Sequence, residues 1–209
     1  MKIDVDGHIN AVRREVPGRV LEAGEARVVR LTRDYGDPVE DVWDACTNSE
    51  RLPRWFLPVS GELRLGGRFQ LEGNAGGTIE ACDPPHGFSS TWEFAGGVSW
   101  ITLTLAALDG GGTRFTLEHV AHVDDEHWEQ YGPGAVGVGW DLALLGLTLH
   151  IETGAGNEGA QEWAVSDEGR RFMALASERW RDAAVADGLD AEWADAAAGR
   201  TTAFYTGAI

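Results

Sequence analysis

The sequence predicts an α+β fold, an antiparallel sheet of about seven strands set around one long helix, with a helical extension behind it. Three observations predict it. Between residues 61 and 123, short runs alternate apolar and polar side chains and are divided by glycine- and proline-rich turns. That is the pattern of strands with one face buried. From Ala135 to Thr153 the chain is apolar almost all round a helix, so that helix must be covered from two sides. Finally, no parallel crossover pattern and no dinucleotide or phosphate-loop glycine fingerprint occurs, which excludes the common nucleotide-binding α/β layouts.

The elements follow in order. Residues 1–25 read as an extension in which Ile9, Val12, Arg13 and Val16 suggest a short amphipathic helix stopped by Pro17-Gly18. From Ala26, alternation through Val29 and Leu31 predicts a strand ending at Tyr35-Gly36. Asp37 is expected to cap a helix with Pro38 at its first position. Val39, Val42, Trp43 and Cys46 share a face of that helix, and a second short helix over 50–56 presents Trp55 and Phe56. Strands are then expected at 61–65, 68–72, 78–82, 88–94, 100–108 and 113–123, with Gly66-Gly67, Asn74-Ala75-Gly76-Gly77, Pro84-Pro85 and Gly110-Gly111-Gly112 as turns or stops. Within 78–82, Ile79 and Ala81 are expected to share one face. After an acidic connection comes the long helix, and Gly154 to Gly159 forms a hinge. Two further helices are signalled beyond it, capped by Ser166 and Asp190. The expected organisation is an N-terminal extension over 1–25, a central domain over 26–153 and a helical tail over 154–209. The tail is expected to pack on the domain, against the stripe Val138, Leu142, Leu145 and Leu149, or on a partner subunit.

Composition narrows function. The formal net charge is −17, with 17 Lys plus Arg among 209 residues. Such a surface repels phosphate backbones and anionic membranes, so neither nucleic acid nor membrane is an expected partner. The long helix approaches the length of a membrane span, but Asp141, His150 and Glu152 within it favour a buried core helix. The N-terminus shows no apolar leader, and Cys46 and Cys82 form no metal motif. A cytoplasmic protein with two buried, reduced thiols is expected.

The segments PVEDVWDACTNSERLPRWF, GELRLGGRF, GTIEACDPP, STWEF, GTRFTLEH and GWDLALLGL resemble the activator-of-Hsp90-ATPase-homologue branch of the START-like (SRPBCC) superfamily, in order and spacing over residues 26–152. The resemblance implies the helix-grip fold, in which a curved antiparallel sheet grips a helix over a hydrophobic cavity. Members of this superfamily bind lipids, hormones or polyketides, and some are aromatases or cyclases. Fold therefore does not transfer function.

Candidate site residues lie on the two surfaces expected to face each other. On the strands, Phe69, Leu71, Trp92, Phe94, Leu103, Phe115 and Leu117 share the apolar side. On the long helix Val136, Trp140 and Leu144 face them, and Trp55 is expected at the cavity edge. His119 falls in phase with Phe115 and Leu117 and is the natural polar anchor. The function this predicts is binding of a small hydrophobic or aromatic molecule. Two other functions stay open: a cyclase or hydratase using His119 as acid or base, and a co-chaperone-like interaction module. No Ser/His/Asp set or paired carboxylates can be assigned as catalytic. Asp124, Asp125, Glu126 and His127 read as a solvated loop, so no metal and no cofactor is expected. The protein is expected to be a monomer or a homodimer, with a protein partner left open.

Overall fold

The computed structural model describes residues 3–21, 24–122 and 126–207. The chain contains seven α-helices and nine strands among the described residues. The strands form one sheet in the order β1-β3-β9-β8-β7-β6-β5-β4, with β2 paired to β3. They are β1 (Arg13–Glu15), β2 (Gly18–Leu21), β3 (Gly24–Tyr35), β4 (Val59–Gly61), β5 (Arg68–Leu71), β6 (Gly76–Asp83), β7 (Gly87–Phe94), β8 (Gly97–Leu108) and β9 (Gly112–His122). The helices are α1 (Val5–Asn10), α2 (Val39–Thr47), α3 (Glu126–Tyr131), α4 (Gly134–Thr153), α5 (Ala160–Ala164), α6 (Asp167–Ala186) and α7 (Ala191–Thr206). The α+β class is thus as the sequence predicts, with two strands more than expected.

The chain forms two compact units, each drawn from separate stretches of sequence. The first comprises Met1–Leu31, His122–Leu145 and Glu158–Ile209; the second comprises Thr32–Ala121 and Gly146–Asn157.

In the first unit, the helix expected around Ile9 to Val16 lies earlier. Asp4 caps α1, its Oδ1 accepting from the Gly7 amide at 3.0 Å. Arg13 to Glu15 is a strand instead, and Gly18 to Leu21 pairs antiparallel with β3. Pairing with β3 is a long-range outcome that outweighs a weak helical pattern. In the tail, α6 and α7 begin where their caps predict. Ser166 Oγ accepts from the Gly169 amide and Asp190 Oδ1 from the Trp193 amide. The tail meets α4 around Gly137, next to Val138 of the expected stripe. The Trp180 ring lies over Gly137, so close that a Cβ there would collide with the indole. Glycine is what allows that approach. Tyr205 donates to the Ala135 carbonyl at 3.0 Å. The short helix α3 falls where a connection was expected, and α5 follows directly on the expected hinge of Gly154 to Gly159. Glu126 and His127 are exposed on α3, while Asp124 and Asp125 lie outside the described residues.

In the second unit, Pro38 and not Asp37 occupies the N-cap of α2, without a side-chain cap bond. The Asp37 carbonyl accepts from the Thr113 hydroxyl at 2.7 Å. The segment expected as a second helix is a single 3-10 turn over Leu52–Arg54. The strand expected at 61–65 ends at Gly61, whose φ of +100° breaks the extended run, and Leu63 and Leu65 are exposed. A register shift between Ile79 and Ala81 turns Ala81 outward, against the expected alternation. Cys82 is exposed, against the expectation of a buried thiol, and Cys46 is half-buried.

Burial is one-sided along the central strands. On β8 and β9, Ile101, Leu103, Leu105, Phe115, Leu117 and His119 are buried while Thr104, Ala106 and Arg114 are exposed. Helix α2 meets this buried face at one end, where Trp43 stands edge-on to Phe88 with ring centroids 6.3 Å apart. The last turns of α4 join the same unit, and Thr148 donates to the buried Tyr35 hydroxyl at 3.5 Å.

Candidate functional site

The strand registers decide which side chains share a face. Ser90 pairs with Ile101 and Ile101 with His119; Trp92 pairs with Ser99; Phe88 pairs with Leu103 and Leu103 with Leu117. Residues opposite one another in a sheet point to the same side. Ser90, Trp92, Ser99 and His119 therefore form a polar and aromatic group on an otherwise apolar surface. At one end of that surface Trp43 meets Phe88. At the other is the β7–β8 hairpin, where Ala95 takes φ 49° and Gly96 φ 84°.

His119 is 5% exposed. Its Nε2 lies 2.7 Å from Ser99 Oγ, and its ring is edge-on to Trp92 at 6.0 Å. Ser99 Oγ also lies 3.2 Å from the Trp92 carbonyl. The hydroxyl has one proton. When it donates to that carbonyl, it accepts from His119 Nε2–H. Burial pushes the imidazole down to about 4, so it is neutral at physiological pH. Ser90 was not singled out by sequence, because a serine in a strand carries no local signal. It is fully buried, and its Oγ has no hydrogen-bond partner among the described residues.

Among the predicted lining residues, Leu71, Leu103, Phe115 and Leu117 are buried, and Phe69 and Trp92 are half-buried, all in the second unit. Phe69 pairs with Gly77, where a Cβ would stand 3.1 Å from its ring. Phe94 is 55% exposed and does not line an interior. It has the right parity but sits at the hairpin end, beyond the cover that buries its neighbours. Trp55 has a structural task. Its indole donates to the Ala45 carbonyl at 2.9 Å and its ring stacks on Phe56. Val136, Trp140 and Leu144 belong to the part of α4 in the first unit. Leu144 is buried and Trp140 half-buried, whereas Val136 is 38% exposed and so is no interior contact.

Two further buried polar residues, Asp141 and His150, have partners that the sequence does not reveal. In the first unit, Arg14 reaches Asp141 through Nε and Nη2, the shortest contact being 2.7 Å, and Trp180 Nε1 donates to Asp141 Oδ2 at 2.9 Å. Arg14 Nη1 also donates to the Ile9 and Val12 carbonyls. Burial pushes the Asp141 carboxyl up, against the pull of Arg14. In the second unit, the buried His150 accepts from Arg51 Nε at 3.3 Å and lies 3.1 Å from the Ala155 carbonyl through Nδ1. No group of three or more His, Cys, Asp or Glu fit to hold a metal occurs among the described residues. Helix α4 is long and apolar enough to cross a membrane, yet its Asp141, Thr148 and His150 are buried in the folded chain.

Comparison with known proteins completes the picture. The family model of Activator of Hsp90 ATPase homolog 1-like proteins matches residues 37–152. The crystal structure of CalU16 from Micromonospora echinospora is 35% identical, with a TM-score of 0.68 over 83% of this chain and 98% of its own. Its solution structure gives 34% and 0.70 over 85% and 97%. PFC0360w, an HSP90 activator from Plasmodium falciparum, is 21% identical with a TM-score of 0.52, over 61% of this chain and 96% of its own. No curated protein matches the chain.

Proposed function

Because the chain belongs to the family of Activator of Hsp90 ATPase homolog 1-like proteins, we propose that it binds a small hydrophobic or aromatic molecule on the inner face of its sheet. The observation that carries this reading is the buried His119 with the half-buried Ser99 and Trp92 beside it on an apolar surface. Ligand sites combine apolar walls with a few placed polar groups, and this face has that composition. Leu103, Phe115 and Leu117 supply the wall, Trp92 an aromatic edge and His119 the anchor. Phe69 and Leu71 extend the wall on the neighbouring strand.

A hydratase- or cyclase-type role for His119 has less support. General acid–base catalysis is efficient when the group's pKa lies near working pH, and burial holds this ring down at about 4. The co-chaperone reading has behind it only the family's name and the HSP90 activator PFC0360w, whose 21% identity speaks for fold alone. A cytoplasmic location goes with the free thiols of Cys46 and Cys82. The tail's contacts with its own chain at Gly137 and Asp141 support a monomer.

Native mass spectrometry of freshly purified protein tests the proposal, followed by tryptophan-fluorescence titration with aromatic probes. A co-purified small molecule, or saturable binding lost in His119→Ala while the fold is retained, is the expected result. Saturable binding that ignores His119→Ala, Trp92→Ala and Leu117→Ala alike would remove the inner face as the site.

A further inference from the structure

We propose that Ser90 is a ligand-binding residue and that the inner face selects uncharged molecules carrying a hydroxyl or carbonyl group. The inference rests on the binding function proposed above and names its ligand class.

Ser90 is fully buried, and its Oγ finds no hydrogen-bond partner among the described residues. A buried hydroxyl left unpaired is destabilising, and an alanine there would be the better structural choice. Register sets Ser90 beside Ile101, with His119 next on the same side. Trp92 follows two positions along β7, between the end where Trp43 meets Phe88 and the open hairpin at Phe94. A ligand against Trp92 is thus within reach of both a hydroxyl and an imidazole–hydroxyl pair. All three groups are neutral: Ser90 and Ser99 by nature, and His119 because burial holds its ring down at about 4. No Lys or Arg occurs among the inward-parity residues of β7, β8 and β9, since Arg114 has the opposite parity and is exposed. The buried Arg33 belongs to the next strand, β3, and lies over the ring of Tyr35, which meets Phe115 and not His119. An anionic ligand held against Trp92 would therefore lose its hydration without gaining a counter-charge there. A neutral hydroxyl or carbonyl needs none.

The test uses the full chain and three matched probes followed by tryptophan fluorescence: naphthalene, 2-naphthol and 2-naphthoate. In the wild type, 2-naphthol is expected to bind about fivefold more tightly than naphthalene, the gain of one neutral hydrogen bond. 2-Naphthoate is expected to bind at least about tenfold more weakly than 2-naphthol. Ser90→Ala should bring 2-naphthol down to the naphthalene level and leave naphthalene unchanged. Without ligand, Ser90→Ala should keep or raise the melting temperature, because it deletes an unpaired buried group.

The inference is overturned if the 2-naphthol advantage survives Ser90→Ala, if 2-naphthoate binds as tightly as 2-naphthol, or if Ser90→Ala alone lowers the melting temperature by several degrees. Those results would leave the binding function standing, since naphthalene still binds. Absence of binding by all three probes would sink both.

Discussion

His119 enters the fold at the expense of its charge. Its pKa falls from 6.5 to about 4 on burial, so between those values the unfolded chain takes up a proton that the folded chain refuses. Stability from this group is fully present above about pH 6.5 and is lost as pH falls toward 4, by roughly 3 kcal/mol in all. Urea unfolding of wild type and His119→Gln at pH 7.5, 6, 5 and 4.5 should show the difference between the two curves shrinking as pH falls. A constant difference would mean that the ring is not held neutral. Asp141 is the second residue on which much depends. In the sequence it stands only as a polar residue in an apolar helix that argues against a membrane span. Its true partners, Arg14 and Trp180, lie far away in the chain, and only the fold reveals them. Asp141→Asn leaves Arg14 buried without its counter-charge and should cost about 3 kcal/mol or more. A loss under about 1 kcal/mol in denaturant titration would show that the pair is dispensable.

At the scale of elements, the packing of α6 on α4 turns on a single missing Cβ. Gly137→Val should force the Trp180 indole away and destabilise by about 1–3 kcal/mol, whereas the same change at Gly199, with open space around it, should act only through helix propensity. Equal effects at the two sites would refute the close-packing account. Strands and tail helices were legible because their signals are local: two-residue alternation on β8 and β9, and the capping residues Ser166 and Asp190. The N-terminal extension was not, because β1 and β2 are strands only by virtue of pairing with β3. The run at 61–65 failed for the opposite reason. Its alternation is sound, but beyond Gly61 no strand pairing holds it, and Leu63 and Leu65 face solvent.

For the whole molecule, the N-terminal arm and the C-terminal tail share one electrostatic anchor. Truncation after Gly154 removes Trp180, uncovers Gly137 and strips Asp141 of a donor. The shortened chain should expose apolar surface and aggregate, seen by size-exclusion chromatography with light scattering; a soluble form of unchanged stability would rule out the tail as part of the fold. Of the two thiols, Cys82 is exposed and the thiol of Cys46 is pushed up to about 12 by burial. A thiol-reactive probe should therefore label one cysteine fast and the other only on unfolding. The sequence by itself determined the α+β class, the long helix, the inward phase of His119 and the start of each tail helix, since periodicity and caps are properties of neighbouring residues. Tertiary structure alone decided the partners of Asp141, the exposure of Phe94 and Val136, the duty of the Trp55 indole, and the unpaired hydroxyl of Ser90. Each of these depends on which distant segment arrives alongside, and no short window of sequence carries that information.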